Sequence, residues 1–266
     1  NYFLNNKKIL YNSTGSNHQN FVSDGDIPLS GGLVLILLIY FYLNTNSYYL
    51  FIAFILIFLL GFFSDIKKIN SPIFRLILQL IIIIFSVYVA SVYVSYTRII
   101  FLDFLLKDKI FQIIFTTFCI LIIVNGSNFI DGVNSLSIGY FLIILFVIFN
   151  LGSHGIDTGS YLNIKNLFQI LIILFIFNLF NKLYLGDSGS YLLGLLFSIF
   201  LIEIHQINSN ISPFFIISLL WYPAFENLFS ILRKIRFSKS PINPDTNHLH
   251  QLIFYTLKKK YQIDKR

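Results

Sequence analysis

Eight nearly uninterrupted apolar runs constrain this chain more than any other feature. They cover residues 31–43, 48–63, 74–94, 110–124, 136–150, 167–180, 191–204 and 211–232, the first extendable back to residue 27. Spanning about 30 Å of hydrocarbon takes about 20 largely apolar helical residues. Within lipid, only helices and closed barrels satisfy their own backbone polar groups. The composition agrees: 56% of residues are hydrophobic and 12% charged, against roughly 25% charged in a soluble domain. A soluble chain of 266 residues has too little interior to hide this much Phe, Ile and Leu. Disorder is excluded by the 18% aromatic content, because disordered chains are aromatic-poor. The expectation is an all-α, polytopic transmembrane helical bundle of about eight spans. Residues 1–266 read as a single membrane-embedded domain, with no internal repeat and no linker.

The charges orient the bundle. With the N-terminal stretch on the cytoplasmic side, Arg98, Lys107, Lys109 and Lys165 fall outside and the other 15 of the 19 basic residues fall inside. Positive residues in short loops set orientation. The same asymmetry explains the net charge of +7 without a nucleic-acid partner, by placing a basic face beside anionic headgroups or a phosphorylated substrate. Cys119 is the single cysteine and lies in an apolar run, so no disulfide framework exists.

Polar residues gather on that inner face, in segments 23–32, 64–68, 125–134, 185–190 and 240–251. Asp65, Asp131 and Asp187 are hard oxygen donors, and Asn128 adds an amide oxygen. Mg²⁺ takes one or two carboxylates together with phosphate oxygens and water. A metal bridging a diphosphate neutralises charge that develops during phosphoryl transfer. His248 and His250, with Arg233 and Lys239 nearby in sequence, suit phosphate binding or proton transfer. Each residue also has a plainer reading. An Asp at a helix start is often only a cap, Gly-Asp-Ser-Gly is a common turn, and histidines on a loop are commonly solvated. Their joint occurrence on one face is the functional signal.

Five ordered strings then form a recognisable set. They are Pro28-Leu-Ser-Gly-Gly32, Gly61-Phe-Phe-Ser-Asp65, Asn125-Gly-Ser-Asn-Phe-Ile-Asp131-Gly, Leu185-Gly-Asp187-Ser-Gly-Ser-Tyr-Leu-Leu-Gly194, and Ser240-Pro-Ile-Asn-Pro-Asp245-Thr-Asn-His248-Leu-His250-Gln. The chain resembles the polyprenyl-phosphate N-acetylhexosamine-1-phosphate transferases (glycosyltransferase family 4, phospho-N-acetylmuramoyl-pentapeptide transferase-like branch) over roughly residues 27–257. The resemblance implies transfer of a sugar 1-phosphate from a UDP-sugar to polyprenyl phosphate, releasing UMP, with Mg²⁺ or alternatively Mn²⁺. It implies a metal held by Asp187 and Asn128. Asp65, Asp187, His248 and His250 become the catalytic candidates, with Asp65 linked to the lipid phosphate. Asn125, Asn128, Asp131, Asn134, Arg233 and Lys239 become substrate-binding candidates. Glu226 falls where the family has an acidic residue late in a helix and reads as structural.

Departures accompany the match. Ser64 stands where the family has the first carboxylate of an Asp-Asp pair, Asn134 replaces a second Asp, and Gln251 stands where many members have a His. A phosphate monoester ionises near neutral pH unaided, so an active enzyme remains the expectation, with a catalytically silent binding or scaffold protein as the alternative. A transporter would place ionisable groups at the bilayer midplane, and these runs are nearly free of them. The last string is similar to enzymes that start surface glycans, which favours a UDP-N-acetylhexosamine donor. Localisation in a bacterial inner membrane, an active site facing the cytoplasm, a homodimer, and first and last transmembrane helices lying beyond these residues complete the expectations.

Overall fold

A computed structural model describes residues 28–42, 48–153, 157, 163–236 and 248–261. These residues form helices α1 (Gly31–Tyr42), α2 (Tyr48–Asp65), α3 (Pro72–Ala90), α4 (Ile100–Leu105), α5 (Lys109–Ile130) and α6 (Leu136–Ser153). They continue through α7 (Ile164–Leu179), α8 (Gly186–Ile207), α9 (Pro213–Leu219), α10 (Trp221–Arg236) and α11 (Leu249–Tyr261). The fold is all-helical, and each apolar run of the sequence falls largely on helix, the run at 211–232 on two.

Local chemistry explains several boundaries. Ser71 caps α3 by accepting from the Phe74 N–H, with Pro72 at the first helical position, where its missing N–H costs nothing. Asp108 caps α5 by accepting from the Phe111 N–H at 2.8 Å. The long run at 211–232 is broken instead. The axes of α9 and α10 differ by 74°, and Pro223 sits in the first turn of α10. In a continuous helix the Pro223 ring would clash with the carbonyl four residues earlier, at Leu219. That freed carbonyl accepts the Tyr140 hydroxyl, so the break leaves no orphan.

Helix α8 is the axis of the bundle. Its residues are buried continuously from Ser188 to His205, and it packs against α1, α2, α5, α3, α6 and α9. Gly189, Gly194, Ser190 and Ser198 lie along it, and small residues let helix backbones approach closely. The surrounding helices send large apolar side chains outward, among them Leu37, Ile81, Ile114, Phe118, Ile143 and Phe146. A surface this apolar needs a hydrocarbon solvent.

The eight apolar runs form helices of unequal length. Among the described residues, α2, α3, α5 and α8 are long and apolar enough to cross a membrane, and the bent α9–α10 pair would make a fifth. Helices α1, α6 and α7 are apolar over shorter stretches. They run 12, 18 and 16 described residues.

Candidate active site

The site is built around the first turn of α8. Gly186 enters that turn with φ +73°, a left-handed conformation suited to glycine, and a Cβ there would come within 2.8 Å of the Asp65 carboxylate. Asp65, the last residue of α2, uses both carboxylate oxygens on this turn. Its Oδ1 accepts the Asp187 N–H at 2.8 Å and its Oδ2 accepts the Ser188 N–H at 3.1 Å. A helix N-terminus leaves N–H groups unpaired and carries partial positive charge, so Asp65 caps α8 from a neighbouring helix. The segment at Pro28 fastens the same corner, because the Gly31 N–H donates to Tyr184 O at 2.9 Å and the Tyr184 N–H donates to Pro28 O at 3.0 Å.

Asp187 is held through one oxygen. Ser64 Oγ donates to its Oδ2 at 2.6 Å, and Arg75 Nη1 reaches the same Oδ2 at 3.1 Å and Ser64 Oγ at 2.6 Å. Sequence reading placed Arg75 among the orienting charges only, since it lies on the next helix in an apolar segment. Its pairing with Asp187 crosses 112 residues of sequence, and no local pattern announces it.

The end of α5 joins this corner to the histidines. Asn128 Oδ1 accepts from Ser190 Oγ at 2.9 Å, and that hydroxyl also lies 3.2 Å from the Asp187 carbonyl oxygen. Asp131, just past the helix, has its acidity weakened well beyond the ordinary carboxylate range, by burial first and then by the Asp187 and Asp65 charges. Phe129 stacks on His248 with ring centroids 5.0 Å apart. Gly132 faces His250, whose Nε2 is buried and has no hydrogen-bond partner among the described residues. His248 Nδ1 lies 3.0 Å from Glu226 Oε2, and Tyr222 Oη lies 3.4 Å from His250 Nδ1. Glu226 and Tyr222, like Arg75, are parts of the site whose contacts only the fold reveals.

The remaining candidates are engaged elsewhere or lie outside. Asn125 donates to Gln79 Oε1 and to Leu121 O, both at 3.0 Å, which ties α5 to α3. Asn134 donates to the Asn181 side chain, beside the Ser135–Asn178 contact that joins the start of α6 to the end of α7. Arg233 lies in the last turn of α10 with its guanidinium 5.5 Å from the Phe229 ring. Lys239 lies outside the described residues.

Metal fit can be judged from the donors. No group of three or more His, Cys, Asp or Glu side chains is arranged to hold a metal among the described residues. A closed, all-protein metal cage is therefore not what this site resembles. Asp187 and Asn128 are hard donors, with Ser190 Oγ between the Asn128 side chain and the Asp187 backbone carbonyl, and the Asp187 and Asp65 charges act on Asp131. That donor set suits a hard divalent cation which keeps substrate oxygens in its shell.

Fold and site together define a multi-pass membrane protein whose apolar helices present carboxylates and an arginine around one helix N-terminus, with paired histidines joined to it through the end of α5. The chain belongs to glycosyl transferase family 4, whose model matches residues 47–205. It is similar to decaprenyl-phosphate N-acetylglucosaminephosphotransferase of Mycolicibacterium smegmatis, at 30% identity over 54% of this chain and 40% of that protein. It is also similar to undecaprenyl-phosphate alpha-N-acetylglucosaminyl 1-phosphate transferase of Salmonella typhi, at 26% identity over 86% of this chain and 65% of that protein. The protein of the same name from Escherichia coli K12 matches at 26% identity over the same shares. The chain thus spans between 40% and 65% of the length of these relatives.

Proposed function

We propose that this protein transfers N-acetylhexosamine 1-phosphate from a UDP-sugar to a polyprenyl phosphate, releasing UMP, as the first step of a cell-envelope glycan. The observation that carries the reading is the first turn of α8, where Ser64, Asp65 and Arg75 meet Asp187 and Asn128 meets Ser190, from three other helices. The relatives' names supply the acceptor class and N-acetylglucosamine.

In the reaction an oxygen of the acceptor phosphate forms a bond to the phosphorus bearing the sugar, and the bond from that phosphorus to the UMP oxygen breaks. The protein's contribution is largely positioning and charge compensation. Asp65 holds the α8 turn, so that Asp187 and Ser190 keep their places relative to Asn128. Arg75 brings a fixed positive charge beside Asp187 and meets a phosphate oxygen. His248 and His250 face the sugar or its diphosphate from the Asp131–Gly132 side. Asp187, assisted by Asn128, would hold Mg²⁺, which when bound neutralises negative charge on the diphosphate. The basic residues grouped with this face support a site on the cytoplasmic side of a bacterial inner membrane.

Purified full-length protein is expected to exchange labelled UMP with UDP-N-acetylglucosamine or another UDP-N-acetylhexosamine, given polyprenyl phosphate and Mg²⁺. Asp187→Asn is expected to lower exchange at least a hundredfold with the fold retained. No exchange across a panel of UDP-amino sugars would overturn the reading. Exchange gained only with Ser64→Asp would instead favour a silent binding protein, the alternative that Ser64 itself raises.

A further inference from the structure

Glu226 lies on α10 with 2% of its surface exposed, yet it is a carboxylate with two distinct donors. Its Oε2 is 3.0 Å from His248 Nδ1, and its Oε1 accepts the Leu249 N–H at 2.8 Å. A buried carboxylate is costly unless its oxygens are bonded. Here both are, and both partners belong to the segment that opens α11. A carboxylate only accepts, so the proton of this contact sits on His248 Nδ1. The ring itself stacks on Phe129 at 5.0 Å and lies parallel to His250 at 5.7 Å, with an interplanar angle of 1°. Stacking sets the plane of the imidazole, and Glu226 sets its rotation within that plane. Nε2 is then the nitrogen left to meet substrate.

What fixes Glu226 is the seam between α10 and α5. Asn227 Nδ2 donates to Ile122 O at 3.0 Å, and Gly126 lies so close to α10 that a Cβ would come within 2.0 Å of Pro223 O. Helix α5 also carries Phe129 and Asn128. The histidines are therefore registered to the same helix that registers the α8 corner.

We infer that Glu226 is the positioning residue of the histidine pair, clipping the start of α11 and presenting His248 with Nδ1–H bound and Nε2 open to a phosphate or hydroxyl group of the nucleotide-sugar. The kinetic part of this inference rests on the transferase reading, whereas the structural part does not. Gln matches Glu in shape but offers one acceptor oxygen and turns an NH₂ toward a donor, so Glu226→Gln cannot serve both partners. Glu226→Asp keeps both acceptors on a shorter stem.

The test uses full-length protein in lipid nanodiscs at pH 8, with ¹⁵N-labelled histidine rings and His248→Gln to assign the signal among the five histidines. Wild type is expected to show His248 protonated on Nδ1, and Glu226→Gln to lose that single state. In assays, Glu226→Gln is expected to lower kcat/KM for the UDP-sugar at least tenfold while the KM for polyprenyl phosphate stays within twofold, with Glu226→Asp recovering part. A wild-type His248 protonated on Nε2 would overturn the inference, as would a Glu226→Gln protein with unchanged ring signal and kinetics. Were wild type to lack transferase activity, the functional reading would fall, and the ring signal would still decide the role of Glu226.

Discussion

At the scale of single residues, Ser64 shows how a substituted motif position keeps a structural task. Its hydroxyl donates to Asp187 and accepts from Arg75, so a neutral bridge stands where the resemblance leads one to expect a carboxylate. Asp131 carries the opposite burden, an acid whose charged form is disfavoured by burial and by two neighbouring carboxylates. Asp131→Asn removes that penalty, so it is expected to raise the melting temperature of substrate-free protein by a few degrees while cutting transfer at least tenfold. Scanning fluorimetry and the exchange assay check the pair of effects. His250 behaves as a buried neutral imidazole, pushed down to about 4 by burial first and by His248 second. Its folded value lies below its unfolded one, so the stability it confers is present above pH 6.5 and is lost as pH falls toward 4. Melting temperature measured from pH 7.5 to pH 4.5 is expected to fall, and His250→Gln to flatten the slope.

At the scale of elements, Asp65 is the residue whose meaning changes most between sequence and fold. As a motif member it reads as a partner of the lipid phosphate; in the fold both of its oxygens cap α8. Losing charge-assisted bonds that are partly buried costs about 1.5–3 kcal/mol each. Asp65→Ala is therefore expected to destabilise the protein by about 3 kcal/mol, whereas Asp65→Asn is expected to keep one bond and half of the loss; denaturation monitored by intrinsic fluorescence distinguishes them. The helices themselves are legible because apolar runs are local signals. The α9–α10 break was not read, although Pro223 lies in the run, because a proline near a helix start and a proline inside a helix look alike in an apolar sequence. The partners of Arg75, and of Glu226, which the resemblance marks only as a structural acid, are hidden for a different reason. They lie 112 and 22 residues away, and such pairings exist only after the helices pack.

At the scale of the whole molecule, α8 organises everything else. It is buried from Ser188 to His205, and its first turn meets Asp65, Ser64, Arg75 and Asn128, so the same helix is structural core and candidate site. Helix α5 completes the arrangement by touching α8 through Asn128 and the histidine segment through Phe129. This explains how residues as far apart in sequence as Asp65, Asn128, Asp187 and His248 are tied into one connected set, while Thr97 and Asp103 spend their polar groups on each other. The central claim is that the phosphorus travels with the sugar. Full-length protein in polyprenyl-phosphate-containing nanodiscs should be given UDP-N-acetylglucosamine labelled with ³²P at the phosphate attached to the sugar. The account predicts ³²P in the lipid fraction together with unlabelled UMP, and loss of both with Asp187→Asn; ³²P remaining on the released nucleotide would contradict it.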